Sequence, residues 1–84
     1  MAQITVYSGP MCPYCDKAKA LLKRKNVAFA DFNVKSDEVK LSEMLERSGG
    51  RKSIPQIFID GRHIGGCDDL YALEDAGKLD ELLV

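Results

Sequence analysis

Apolar positions along the chain change period several times, and each change marks an element. In QITVY (3–7) Ile4 and Val6 alternate with their neighbours in a β-branched run, which predicts a strand. The spacing then becomes helical: in YCDKAKALLKRK (14–25), Cys15, Ala18, Leu21 and Leu22 share one face, and Asn26 can end the helix. AFADFNV (28–34) carries Phe29, Phe32 and Val34 in a weaker strand pattern, which completes a βαβ unit and makes the first two strands parallel. Ser36 is read as the N-cap of a second helix with Asp37 and Glu38 in its first turn. Leu41, Met44, Leu45 and Ser48 follow at helical spacing, and Gly49-Gly50 stops the helix. A strand at Gln56 to Ile59, a turn at Asp60-Gly61 and a short return strand around His63 and Ile64 predict an antiparallel hairpin. Asp68 and Asp69 open a last helix bearing Leu70 and Leu73, closed by Gly77, and Leu79, Leu82 and Leu83 form a final amphipathic turn. The order β-α-β-α-β-β-α predicts an α/β fold, a four-stranded mixed sheet with helices on both faces.

Composition narrows the class. With 84 residues and no linker, repeat or low-complexity stretch, residues 1–84 are expected to form a single domain. Twelve basic and 13 acidic residues, scattered along the chain for a net charge of −1, give no electrostatic footprint for nucleic acid or an anionic membrane. The start MAQITVYS has no basic segment followed by a long apolar stretch, and no run approaches bilayer-spanning length, so the expectation is a cytoplasmic protein. Three cysteines are an odd count and too few for a stapled secreted scaffold, which agrees with a reducing compartment.

The chemistry concentrates where the first strand gives way to the first helix, at SGPMCPYC (8–15). A Cys-x-x-Cys unit can grip a metal, close a structural disulfide or exchange electrons by thiol–disulfide exchange. Closing so short a loop restricts the unfolded chain little, which speaks against a purely structural bridge. The turn sets Cys12 at the start of a helix, where unpaired backbone N–H groups and the helix dipole favour a thiolate. Pro13 suits the first helical position because it has no N–H to leave unpaired, and Cys15 falls one turn deeper, exposing the first sulfur and sheltering the second.

CPYC, SIPQIFIDG and GGCDDL, in this order and spacing, resemble the glutaredoxins of the small dithiol class, and the resemblance spans essentially the whole chain. It implies a thioredoxin-like fold and a glutathione-dependent thiol–disulfide oxidoreductase. Cys12 and Cys15 are then catalytic, with no tightly bound cofactor and glutathione as the reducing co-substrate. Its further partners would be glutathionylated and disulfide-containing proteins, met by a monomer. The resemblance also implies a cis peptide between Ile54 and Pro55. Tyr14, Ser53, Ile54, Pro55, Gln56, Gly66, Cys67 and Asp68 match positions at the family's glutathione groove. Gly65-Gly66 would let a ligand backbone come close, and the helix start at Cys67 and Asp68 offers N–H groups to a carboxylate. One departure stands out: many members carry lysine three residues before the first cysteine, where this chain has Gly9.

The competing reading is a metal or cluster protein built on the same pair. Cys12 and Cys15 with His63 and Cys67 have the count for a Cys3His zinc site, but His63 is expected as a surface imidazole on a hairpin strand. A cluster bridging two chains is known in the family usually where a small residue follows the first cysteine, and Pro13 argues against it. No metal-ligating role is therefore assigned.

Overall fold

The computed structural model describes residues 2–84. Eight elements follow in order: β1 (Ile4–Ser8), α1 (Pro13–Arg24), β2 (Ala30–Asn33), α2 (Glu38–Arg47), β3 (Gln56–Ile59), β4 (Arg62–Gly65), α3 (Cys67–Asp75) and α4 (Leu79–Leu83). The strands form one sheet in the order β2-β1-β3-β4. β1 runs parallel to β2 and antiparallel to β3, and β3 pairs antiparallel with β4. The expected mixed sheet is present, and the final apolar turn is a short helix of its own.

Period-two alternation sorts the side chains of the central strands onto two apolar layers. Ile4, Val6, Ile57 and Ile59 pack with Ala18, Leu21 and Leu22 of α1, Leu70 of α3, and Leu79 and Leu83 of α4. Tyr7 and Phe58 point the other way, into a smaller layer with Val34 and Met44 of α2. Because both faces are covered, all four residues of β3 are buried. Edge strand β2 is exposed at Ala30, Asp31 and Asn33, which explains its weak pattern in the sequence.

Local chemistry fixes the helix ends. At the end of α1 the αL residue is Asn26 (φ 58°), with its N–H donating to the Lys23 carbonyl and the Val27 N–H to that of Leu22. Gly49 (φ 72°) and Gly77 (φ 70°) do the same for α2 and α3, where a side chain would be strained. The start of α2 corrects the sequence reading. Asp37, not Ser36, is the N-cap, its carboxylate accepting from the N–H groups of Val39 and Lys40 at 3.1 Å, while Ser36 turns back to the Asn33 carbonyl. A carboxylate gains more than a hydroxyl from the positive end of the helix dipole.

Candidate active site

The loop from β1 to α1 is pinned before it reaches the cysteines. Ser8 is buried, and its hydroxyl donates to Asp31 of β2, which also holds Lys19 of α1 at 2.9 Å. Met11 then takes a left-handed conformation (φ 53°) with its side chain 99% exposed, an arrangement rare outside glycine that the sequence did not announce. Cys12 is the N-cap of α1 in extended conformation, and Pro13 occupies the first turn as expected. The Cys15 N–H donates to Cys12 Sγ at 3.1 Å, so a backbone dipole points at the sulfur where negative charge develops on reduction. Cys12 and Cys15 are joined in a disulfide with their Cα atoms 5.2 Å apart. Cys12 is half-buried, whereas Cys15 is wholly buried. Cys15 is the more sheltered of the two, and Cys12 is partly covered rather than exposed.

Beside it lies an open cavity of about 150 Å³ lined by Tyr14, Ile54, Pro55, Cys67 and Asp68. The Ile54–Pro55 peptide is cis. Gly66 is the N-cap of α3, and the first N–H bonded within the helix is that of Leu70, so the amides of Cys67 and Asp68 have no intrahelical acceptor. Asp69 reaches back to accept from the Gly66 N–H at 2.9 Å, one half of a capping box, since glycine has no side chain to complete the other half. Its return explains Gly65: at φ 120°, any Cβ there would collide with the Asp69 carboxylate. Gly65 thus serves the cap. Cys67 is buried, and desolvation pushes its thiol pKa up against the opposing field of Lys17, so it stays a neutral thiol.

Three expected groove residues, Ser53, Gln56 and Gly66, do not line this cavity. Gln56 is completely buried and does not line the cavity, contrary to its reading as a lining residue. As the first residue of β3 it follows β-sheet alternation onto the same face as Phe58, which turns its side chain inward. Ser53 is exposed, and both its carbonyl and its hydroxyl accept from the Gln56 amide. His63 is on the hairpin surface as expected, with its ring hydrogen-bonded to Gln56 and stacked on Phe58. Among the described residues no group of three or more His, Cys, Asp or Glu side chains converges for a metal ion. Gly9 is crowded: a Cβ there would stand 2.9 Å from both Ile54 Cδ1 and Lys35 Cγ, so the stem of Lys35 occupies the space a side chain at position 9 would need. A larger depression of about 560 Å³ at the β2 edge, lined by residues 2–5, 28–30 and 32, holds no titratable side chain.

Comparison with known proteins agrees with this geometry. The glutaredoxin family model matches residues 4–64. Glutaredoxin 3 of Escherichia coli is 53% identical over 83 residues, covering 99% of each chain. A probable glutaredoxin of Synechocystis sp. is 52% identical over 82 residues, 98% of this chain and 93% of the relative. The solution structure of a glutaredoxin from Brucella melitensis superposes with TM-score 0.84 at 54% identity, covering 99% of this chain and 89% of that one. A buckwheat glutaredoxin–glutathione complex does so with TM-score 0.86 at 27% identity, over 98% and 76% of the two chains. A thioredoxin-like sheet that presents a half-buried and a fully buried cysteine at a helix start, within a sequence about half identical to the Escherichia coli, Synechocystis and Brucella proteins along nearly its whole length, has one consistent interpretation: the chain belongs to the glutaredoxin family and is a glutathione-dependent thiol–disulfide oxidoreductase.

Proposed function

We propose that the enzyme reduces glutathionyl mixed disulfides through Cys12 alone and protein disulfides through Cys12 and Cys15 together. The observation that carries this reading is the unequal setting of the two sulfurs: Cys12 half-buried at the helix N-cap beside the cavity, Cys15 buried beneath it. In the first route the Cys12 thiolate attacks the glutathionyl sulfur of the substrate, whose S–S bond breaks; the substrate thiolate leaves and takes up a proton. The thiolate of a second glutathione then attacks the glutathionyl sulfur on Cys12, releasing glutathione disulfide and regenerating the Cys12 thiolate. In the second route Cys12 forms a mixed disulfide with the protein substrate, and Cys15 attacks Cys12 to release the reduced protein. The resulting Cys12–Cys15 disulfide is reduced by two glutathiones.

In this reading Tyr14, Ile54, Pro55, Cys67 and Asp68 form the walls that hold the glutathione moiety, with Ser53 and Gly66 flanking them. The backbone of Ile54 pairs with its cysteinyl part. The free amides of Cys67 and Asp68 receive its γ-glutamyl carboxylate, and the Asp68 carboxylate faces its amine. Residues 1–84 act as one catalytic unit, a monomer in the cytoplasm, where reduced glutathione regenerates Cys12. The test is turnover of a glutathionylated small thiol with glutathione, glutathione reductase and NADPH. Sustained turnover is expected. Reduction driven by thioredoxin reductase, with none from the glutathione couple, would overturn the proposal.

A further inference from the structure

Gln56 is a fully buried amide in an apolar layer, and its hydrogen bonds connect the surface of the hairpin to the loop before Pro55. Its Nε2 donates to the Ser53 carbonyl at 2.9 Å and to Ser53 Oγ at 3.1 Å, and its Oε1 lies 2.7 Å from His63 Nε2. The polarity of this chain is fixed by chemistry. A carbonyl can only accept, so the amide nitrogen faces Ser53 and the amide oxygen faces His63, which must therefore carry its proton on Nε2. The register makes the contact possible: Ile57 pairs with Gly65 but Phe58 with His63, so a bulge at Ile64 brings the imidazole over Phe58 with ring centroids 4.9 Å apart. Desolvation lowers the His63 pKa, Arg51 acts in the same direction and Asp69 against it, so the ring is neutral and has one N–H to give.

We infer that His63 is a positioning residue for the glutathione groove: through the Gln56 amide it fixes the Ser53 carbonyl and hydroxyl, and with them the Ile54–Pro55 segment that forms one wall of the cavity. This rests on the proposed role of Ile54 at the groove. Without the His63 N–H, the buried Gln56 oxygen loses its partner and the amide is free to turn away from Ser53. The loop then samples orientations that do not match the ligand, and apparent affinity falls by the fraction of molecules still competent. Cys12 is held independently by the start of α1, so the chemical step is untouched.

Two substitutions separate the hydrogen bond from the packing. His63→Phe keeps the ring on Phe58 and removes the donor, whereas His63→Gln keeps a donor at the same reach and removes the ring. With a glutathionylated peptide as substrate, His63→Phe is expected to raise KM about five- to tenfold, the size of one net hydrogen bond, with kcat and the Cys12 alkylation rate unchanged. His63→Gln is expected to restore KM to within about twofold of the parent by the same reasoning. The opposite ranking, equal impairment in both, or no effect in either would overturn the inference. Gln56→Met breaks the chain from its other end and should give the same KM rise, with no further rise in combination with His63→Phe; it decides the matter if His63→Phe does not fold. Amide shifts on titrating glutathione into the unmodified protein test the underlying reading separately. If Ile54, Cys67 and Asp68 do not respond, the groove assignment fails; if they respond and His63→Phe leaves KM unchanged, only the role of His63 fails.

Discussion

Replacing the two cysteines one at a time should produce opposite results, and the structure sets the sizes. Cys12→Ser removes the attacking sulfur; a serine hydroxyl stays protonated near neutral pH and forms no labile bond to sulfur, so all turnover falls to background. Cys15→Ser removes only the resolving thiol. The group that donates to Cys12 Sγ is the backbone N–H of residue 15, at 3.1 Å, and this donor survives the substitution. Thiolate formation at Cys12, and with it deglutathionylation, should therefore stay within about twofold of the parent, since no charge-stabilising contact is lost. The cost appears in stability instead. Cys15 is completely buried, so its replacement sets a hydroxyl in an apolar layer at about 1–2 kcal/mol, and Tm of the reduced protein should drop by about 5–15 °C. Protein-disulfide reduction should slow, because each mixed disulfide must wait for external glutathione. The assays are turnover of a glutathionylated small thiol, reduction of a protein disulfide, and thermal unfolding under reducing conditions. Equal loss of deglutathionylation in two folded single variants would refute the monothiol route.

Three further outcomes follow from the same contacts. Cys12 at the N-cap of α1 should titrate below the free-thiol value of about 8.5, read from alkylation rate against pH; a value at or above it removes the helix-start activation. Asp68 is exposed on the cavity wall, so Asp68→Ala should raise KM for glutathionylated substrate only about two- to fivefold, as for an exposed ion pair, with kcat unchanged and the difference vanishing at high salt. Unchanged KM at low salt would leave Asp68 as an ordinary helix-start charge. Glu43 accepts from the buried Tyr7 hydroxyl at 2.5 Å and from Lys40 at 3.1 Å, and these hydrogen bonds lower its pKa from 4.5. A depressed folded-state pKa adds stability above the unfolded value that is lost as pH falls through the folded one. Glu43→Gln should accordingly lower Tm at pH 7, with the gap narrowing as pH falls below 4.5; a gap that persists undiminished in acid would contradict this.

What the sequence determined by itself was everything governed by neighbours along the chain. Period-two and helical spacing placed the four strands and the three longer helices, since each needs an apolar face of fixed repeat, while the separate short helix α4 was read only as a last amphipathic turn. Asn26, Gly49 and Gly77 marked the helix ends because a left-handed residue is a local backbone requirement. The order Cys12-Pro13-x-Cys15 after a strand determined that one sulfur would sit at a helix start and the other a turn deeper, and the groove segments around Ile54-Pro55 and Cys67-Asp68 were legible as family motifs. Tertiary structure decided what depends on residues far apart. Gln56 looked like a groove or surface residue; the sheet's covered face buries it, and the hairpin register brings His63 from β4 to its amide oxygen. Gly9 looked like the loss of a cation, and only the fold shows the Lys35 stem and Ile54 filling the space above it. Tyr7 reads as one more strand residue, yet β1 lies between two covered layers, so its hydroxyl is carried to Glu43 and Arg47 of α2. A repeat in sequence specifies which face a side chain takes, but the partner on that face is chosen by packing between distant elements, where a buried polar group must find its hydrogen bond.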